Sequence, residues 1–591
     1  MKEIYLPSGD ICVDEDWGKL KEYFQLDVEP YDLQKVLIVL LVKGFEKYDN
    51  ILLQAPTGWG KSAIAKAITN YFDKNKGNSY LLTPFINLQG QYRRDFPDLK
   101  ELKGKKNFVC ALNRDVTVDK GPCSIEGFKC DYKHKCGYYE QKEDVDEARQ
   151  VITNPAFIFY NVWLEKFGMR YLAVYDEAHD LESIMFDCLD GEIELDRYDI
   201  NYLGEDKEEW KKIIEKHYEQ YYNEVMKHRE RIEALTAMSY ETMTKSQKKE
   251  LTFLGEIIKD FKLFDAITKI INTEVLISND KKIAKFEVLR VGDFGKEMLE
   301  LISVKRLFMS ATICGPDLFV RNIGIESEKN LYIEITESPF PIKNRRIWSS
   351  RTAYLDYRRY EKGIVKVVNR CKLLLEKYND VRGVIVCNSH RIRNNIVDGL
   401  SKDFEKRIHT HGSGNPSIGC TDCGTFNFSE TPISICRVCK NVYLNRKRDS
   451  IIGNFFLDES GVYIGTYMSE GVDLKNDLCR LLILPKVPYP PMYGRILERC
   501  RLEQADFIRR NECNYKIGKN GLCTKRDCDY KQKCLDWYYR LVIVVIVQNS
   551  GRAVRNKTDY CKIEMLDSGF PSFYGKKLKN FPKWFRQAVM T

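Results

Sequence analysis

A short apolar strand, Asn50–Gln54, runs directly into Ala55-Pro56-Thr57-Gly58-Trp59-Gly60-Lys61-Ser62, and then into a helical pattern. That helix places Ala63, Ile64, Ala67, Ile68 and Phe72 on one face. No other feature constrains the fold as much. Gly58 and Gly60 permit the tight turn in which successive N–H groups point at phosphate oxygens. Lys61 then reaches the outer phosphates, and the Ser62 hydroxyl can ligate Mg²⁺. Ala55 replaces the first glycine of GxxxxGK[ST], but the flanking strand and helix supply the context the loop needs. Tyr31–Lys43 is apolar at helical spacing, and a second strand, Ser79–Thr83, stops at Pro84. This βαβ succession predicts an α/β fold, a parallel sheet with helices on its faces.

A third apolar strand, Tyr171–Tyr175, delivers Asp176-Glu177-Ala178-His179 at its C-terminal end, where open α/β sheets bind ligands. Asp176 there suits a Mg²⁺ site, and Glu177 suits a general base that polarises water. Far downstream, Gln548-Asn549-Ser550-Gly551-Arg552-Ala553-Val554-Arg555 carries two arginines that share a helical face. They are candidate arginine fingers for charge developing on a γ-phosphate. The catalytic candidates are thus Lys61, Asp176, Glu177, His179, Gln548, Arg552 and Arg555, with Thr57, Gly58, Gly60, Lys61 and Ser62 on the phosphates.

At 591 residues the chain exceeds one hydrophobic core, so several domains are expected. Its longest apolar runs, Val36–Val42 and Leu541–Val547, fall short of a bilayer span. The acidic N-terminus has no apolar signal core, which predicts an intracellular protein, cytoplasmic or associated with the nucleoid or nucleus, with no membrane partner. The net charge of +9 is mild and permits a polyanionic partner without requiring one.

From Leu307 onward, strands at Leu307–Ser310, Gly383–Cys387, Val462–Thr466 and Arg480–Leu484 predict a second α/β domain. Residues 190–275 read as almost wholly helical. Trp210, Ile213, His217, Tyr221 and Val225 form one stripe; Leu251, Leu254, Ile258, Phe261 and Phe264 form another.

Twelve of the 20 cysteines fall into three groups of four, a distribution that in an intracellular protein points to metal or iron–sulfur ligands. Cys110, Cys123, Cys130 and Cys136 lie among Lys103, Lys105, Lys106, Lys129, Lys133 and Lys135, with Tyr132, Tyr138 and Tyr139. Four thiolates suit either zinc or a [4Fe–4S] cluster, and spacing does not choose. The interleaved lysines and tyrosines suit phosphate contact with base stacking on single strands. Cys420-x2-Cys423 and Cys436-x2-Cys439 have the spacing of a structural zinc ribbon. Lys440, Arg446, Lys447 and Arg448 follow it, a surface for DNA or protein. For Cys513, Cys523, Cys528 and Cys534, zinc, a second iron–sulfur centre and reduced thiols all stay open.

These segments, in this order, resemble the XPD/DinG family of superfamily 2 iron–sulfur helicases over nearly the whole chain. Tyr31 and Gln34 resemble the family's adenine-contacting element, and Thr83-Pro84 with Gln89 and Gln91 its next nucleic-acid motif. Leu102–Cys110 is similar to its LxGRxNYxC lead-in, and Ile152-Thr153-Asn154 to its ITN segment. Asp176–His179 matches the DEAH box, Ser310-Ala311-Thr312 the SAT motif, Ser338-Pro339-Phe340 the SPF segment, Glu470-Gly471-Val472-Asp473 EGxD, and Gln548–Arg555 QxxGRxxR.

The resemblance implies two RecA-like motor domains, an iron–sulfur domain and a helical arch. The first motor domain would comprise 1–100, 151–189 and 296–315; the iron–sulfur domain 101–150; the arch 190–295. The second motor domain would run 316–591, with cysteine-rich insertions at 412–445 and 500–536. It further implies an ATP-dependent, monomeric motor moving 5′ to 3′ on single-stranded DNA and opening forked duplex, in repair or recombination. A [4Fe–4S] cluster would sit on the first cysteine group, zinc is expected on the second, and Gly471 and Asp473 would join the ATP site. His179 and Gln548 would link the motor domains across the cleft. A nucleic-acid-stimulated ATPase or RNA remodeller is the alternative, as is a redox-regulated binding sensor. Leu541–Val547, rich in β-branched residues, reads as a strand; the resemblance places a helix there.

Overall fold

The computed structural model describes residues 1–6, 16–24, 29–125, 128–162, 168–201, 204–280, 282–410, 447–466, 474, 476–511, 518–519, 521–523 and 535–590, together with four three-residue strands between 417 and 444. In the first core, the apolar runs between glycine- and proline-rich turns form strands β1 (Lys2–Leu6), β2 (Asn50–Gln54), β3 (Ser79–Leu82), β4 (Lys100–Leu102), β5 (Gln150–Thr153) and β6 (Arg170–Tyr175). The chain then leaves the sheet through β7 (Gly191–Glu194), β8 (Val275–Asn279) and β9 (Ile283–Val288). It returns as β10 (Ser303–Ser310) and β11 (Asn330–Ile335). The parallel order β1-β11-β2-β10-β6-β3-β5-β4 puts β2, β10 and β6 side by side, buried on both faces. Register aligns Ser310 with Gln54 and Phe308 with Tyr175. The loops after β2, β6 and β10 therefore leave at one edge, which is where the sheet concentrates the candidate motifs.

Helices cover this sheet because their apolar residues recur every three or four positions. Helix α1 (Asp32–Lys47) buries Leu33, Leu37, Ile38, Leu41, Val42 and Phe45. Helix α2 (Lys61–Asn75) buries Ile64, Ala67, Ile68 and Phe72, the face expected from the sequence. Helix α3 (Gly137–Asp146) belongs to the cysteine-bearing module, and α4 (Leu181–Leu189) follows the acidic motif. In the arch, α5 (Lys207–Lys227) and α6 (Lys245–Ile271) pack along each other. Trp210 and Ile214 are inaccessible on α5, as are Phe264 and Ile267 on α6. Burying a side chain of this size contributes about 1.5–3 kcal/mol.

The second core has the parallel order β14-β19-β13-β20-β21-β12-β22, with β12 (Ile347–Ala353), β13 (Gly383–Cys387), β14 (Ile408–Thr410), β19 (Val462–Thr466), β20 (Leu481–Leu484), β21 (Lys562–Asp567) and β22 (Val589–Met590). Between β14 and β19, strands β15 (Ser417–Gly419) and β16 (Phe426–Phe428) pair antiparallel, as do β17 (Ile433–Ile435) and β18 (Val442–Leu444). Helices α7 (Gly494–Asn511) and α8 (Asp536–Gly551) precede the arginine motif.

Three sequence expectations are corrected. The first motor domain does not end at 315: β11 pairs with β2 inside its sheet, so the core extends to Ile335 and Thr336–Arg346 is the link to the second. At its other limits, β4 continues the sheet past 100 to Leu102, and a helix over Gly292–Ile302 spans the boundary drawn at 295. The arch is not wholly helical, because β7, β9 and β8 form an antiparallel sheet at its base. The third cysteine insertion is narrower than 500–536, since 500–511 continue α7. Leu541–Val547 is helical within α8, as the resemblance implies: Val542, Ile543, Ile546 and Val547 are all buried, and their i,i+4 spacing puts tertiary packing ahead of β-propensity.

Candidate active site between the two cores

The phosphate loop hangs from β2. The Ala55 N–H donates to Ser310 O at 2.9 Å, and α2 begins at Lys61 with its N-terminal N–H groups open to an anion. Gly58 and Gly60 have φ of +80° and +69°. At Gly58 a side chain is also excluded, because a Cβ there would lie 1.9 Å from Phe340 Cζ. Phe340 of the SPF segment thus rests directly on the loop. Trp59 adds a second tie, its indole N–H donating to Glu337 O at 2.9 Å.

Asp176 leaves β6 with its N–H donating to Leu82 O at 2.8 Å. Its Oδ2 accepts the Tyr92 hydroxyl at 2.9 Å, and the Ser62 hydroxyl lies near that same tyrosine oxygen. Tyr92 so brings together the two groups that sequence assigns to Mg²⁺, a hydroxyl and a carboxylate, and this donor set fits a hard cation. Burial, then the neighbouring Glu177 charge, pushes Asp176 up to about 6. Glu177 moves the other way. Burial opposes its ionisation, but His179, Lys61, Arg552 and Arg555 together outweigh it and hold the carboxyl below its usual range. Glu177 also has φ of +53°, a left-handed conformation costing roughly 1 kcal/mol or more.

The arginine motif reaches this acidic end from the second core. Thr57 Oγ1 donates to Gly551 O at 2.8 Å, joining the phosphate loop to the residue before Arg552. Gln548 Nε2 lies 3.3 Å from His179 Nδ1 and donates to Thr312 Oγ1 at 3.2 Å. His179 Nδ1 is also 2.9 Å from Ser310 Oγ. The DEAH-like, SAT-like and QxxGRxxR-like segments therefore form one bonded set across the interface. The Asp559 carboxylate, inaccessible to solvent, accepts from Arg555 N at 2.9 Å and from the Arg480 guanidinium at 2.6 Å, fixing the end of the motif.

At the base end of the cleft, Gln34 is buried. Its Oε1 accepts Tyr31 N–H and its Nε2 donates to Trp59 O, both at 2.9 Å. Tyr31 is 51% exposed, with Lys557 Nζ of the second core 5.3 Å from its ring centroid. Gly471 and Asp473 lie outside the described residues. So do Glu470 and Val472.

Cys110, Cys123, Cys130 and Cys136 are all buried in one apolar cluster with Val118, Phe128 and Tyr138 and with Leu235, Leu251 and Leu254 of the arch. A Cβ on Gly121 would come within 2.8 Å of Cys110 Sγ, so a glycine is needed for the chain to pass this thiol. Burial, then Cys130, pushes the Cys123 thiol up to about 12. Among the described residues no three His, Cys, Asp or Glu side chains are arranged to hold a single metal ion. The donors gathered here are thiols alone, which fits the ligand chemistry of a four-iron cluster. Lys105, Lys133 and Lys135 lie over the rings of Tyr138, Tyr139 and Tyr132 at 5.8, 5.2 and 5.5 Å. Cys420, Cys423, Cys436 and Cys439 lie outside the described residues, as do Cys513, Cys528 and Cys534. Cys523 is described, its N–H donating to Gln504 Oε1 at 2.8 Å.

Sequence reasoning did not find Tyr92, Gln54 or Asp559. Gln54 Oε1 accepts Ile313 N–H at 2.7 Å, holding the exit of the SAT-like segment. Only Asp559 had a local signal, the turn-forming Asn556-Lys557-Thr558-Asp559, in which Asn556 Oδ1 accepts Asp559 N–H at 2.8 Å.

The chain matches the helicase C-terminal domain family over residues 428–588 and the type III restriction enzyme res subunit family over residues 27–222. A solved XPD helicase superposes with a TM-score of 0.58 at 15% identity, over 95% of this chain and 100% of that one. Xpd4 of S. tokodaii gives 0.53 at 12%, over 95% and 100%. At these identities it is the fold that is shared. The ATP-dependent DNA helicase CHL1 of Vanderwaltozyma polyspora is 30% identical over 128 residues, 21% of this chain and 14% of that protein. A Caenorhabditis elegans homologue of regulator of telomere elongation helicase 1 is 26% identical over 122 residues, 21% and 11%. The matched stretch thus spans about a seventh or less of these curated relatives. Two RecA-like cores closing on a phosphate loop define a superfamily 2 helicase fold. Within that class, the solved folds it superposes on are those of XPD helicases. No helix among the described residues is long and apolar enough to cross a membrane.

Proposed function

We propose that the protein is an ATP-dependent DNA helicase that moves 5′ to 3′ on single-stranded DNA and opens forked duplex. The observation that carries this reading is the Gln548–His179 contact at 3.3 Å, with Arg552 and Arg555 acting on the Glu177 charge from the opposite core. A cleft in which one lobe supplies the base and the other the fingers hydrolyses ATP only when closed, so hydrolysis follows domain movement.

Lys61 and the N–H groups at the start of α2 bind the phosphates. Glu177, kept ionised by the cations around it, accepts a proton from the attacking water at its carboxylate. Arg552 and Arg555 stabilise charge on the transferring phosphoryl oxygens. Ser62 and Asp176 would hold Mg²⁺, which when bound neutralises charge between the outer phosphates. Tyr31 offers its exposed ring to the base. Cys110, Cys123, Cys130 and Cys136 would hold a [4Fe–4S] cluster as a strut for a loop-rich module, next to lysine–tyrosine pairs suited to a single strand. The β15–β16 and β17–β18 hairpins each bracket one CxxC pair, which supports zinc on the second group. A role in repair or recombination follows the family resemblance.

Forks with a single 5′ or 3′ tail, in DNA and in RNA, test the reading. ATP-dependent opening of the 5′-tailed DNA fork is expected. Opening of the 3′-tailed fork alone would reverse the polarity, and ATP turnover without strand opening would favour a remodeller.

A further inference from the structure

Away from the phosphates, one of the most deeply buried charges of the chain lies in the seam between the cores. Arg540, on α8, is 2% exposed, and among the described residues its ion-pair partner is Glu182 on α4, itself 4% exposed. Arg540 Nη1 donates to Glu182 Oε2 at 3.1 Å, and its Nε donates to Ile313 O at 3.3 Å. Glu182 also accepts from Trp537 Nε1 at 2.9 Å and from Asn322 Nδ2 at 3.2 Å.

The places these residues occupy matter. Glu182 lies one helical turn beyond His179, Ile313 directly follows the SAT-like segment, and Arg540 lies two turns ahead of Gln548 on the same helix. A single guanidinium therefore ties together the three segments whose far ends meet at the ATP cleft. Removing two charges from water is costly, and apolar side chains of similar volume would hold the seam at least as firmly. What the pair adds is direction. Bonds from Arg540, Trp537 and Asn322 converge on one carboxylate and leave α8 one axial position and one rotation. A helix is stiff over two turns, so an error at Arg540 is carried to Gln548 and Arg552, where displacements near 1 Å cost about 100-fold in rate.

We propose that Glu182 and Arg540 are positioning residues for ATP hydrolysis, setting the placement of α8 from which Gln548 and Arg552 reach the cleft. This rests on the helicase reading above. Neither residue touches nucleotide; both act through Gln548 and Arg552.

The test is the apolar exchange Glu182→Leu with Arg540→Met, made in the full chain and again with Arg552→Ala. Single-turnover and steady-state ATP hydrolysis are measured with saturating single-stranded DNA, alongside a thermal midpoint. The expected result is a folded protein whose kcat falls about 10- to 100-fold with KM for ATP within roughly threefold. In the Arg552→Ala background the same exchange should cost several-fold less than in the wild type, because the finger is gone and only the placement of Gln548 is left to disturb. Unchanged kcat in a folded exchange variant would overturn the proposal. An equal loss in both backgrounds would overturn it too, since the pair would then act on the fold alone. Should the exchange not fold, Trp537→Phe, which deletes one bond to Glu182 and keeps the ring, decides: kcat lowered at least about threefold supports the proposal, and unchanged kcat refutes it. Full turnover in Arg552→Ala itself would refute the helicase reading, a failure separate from that of the pair.

Discussion

Gln548→Met isolates the contact that joins the two cores at the cleft. Methionine keeps the length and packing of the buried glutamine but deletes Nε2, and with it the bonds to His179 Nδ1 at 3.3 Å and Thr312 Oγ1 at 3.2 Å. Both bonds are at the long end of the range, so each is worth about 1 kcal/mol net. If both form fully only when the cleft closes for hydrolysis, the barrier rises by about 2 kcal/mol, roughly a 30-fold loss of kcat. Gln548 makes no contact with the phosphate loop, so KM for ATP should stay within about threefold. Steady-state ATP turnover with and without single-stranded DNA reads both parameters, and a thermal midpoint within a few degrees shows that the fold is intact. A folded variant with wild-type kcat, or one altered only in KM, would refute the idea that the interlobe bond is made in the transition state.

Lys61→Ala should abolish ATP turnover and leave single-strand binding largely intact; retained turnover in a hydrolysis assay would show that the loop is not the phosphate site. Cys110→Ser should lose absorbance near about 400 nm, bound iron and fork opening, while keeping DNA-independent ATPase activity. An unchanged spectrum would exclude Cys110 as a ligand. Because burial and Glu177 raise Asp176 to about 6, the native state holds that proton more tightly than the unfolded chain. Ionising the carboxyl therefore lowers stability as pH rises from about 4 to 6, whereas Mg²⁺-dependent activity rises over the same interval. A pH profile of kcat/KM flat between about pH 5 and 7 would contradict this.

The segments legible in the sequence share one property: their chemistry is written in adjacent residues, at the end of a strand or, for Gln548–Arg555, of α8. The phosphate loop could be read from its own strand–loop–helix context, Asp176–His179 and Gln548–Arg555 took their weight from standing with it, and Ser310–Thr312 was legible through the resemblance. Tyr92, Gln54 and Arg540 could not be read this way, because each gains its role from a partner far away in sequence. Gln54 faces Ile313, and Arg540 faces Glu182. A tyrosine in a helix or a lone arginine carries no local signal of such a partner. The boundary at Ile335 was hidden for a similar reason. Strand β11 reads like any apolar strand, and only its pairing with β2 assigns it to the first core. The helix over Leu541–Val547 shows burial overriding a preference worth only tenths of a kcal/mol per residue.

The most direct test of convergence on one triphosphate is single-turnover hydrolysis by Arg552→Ala at saturating ATP and single-stranded DNA. If Arg552 meets the nucleotide held by Lys61 and faced by Glu177, cleavage should slow by about 10³-fold with ATP affinity nearly unchanged. Cleavage within about threefold of wild type would contradict this and mean that Arg552 contributes no charge to the reaction.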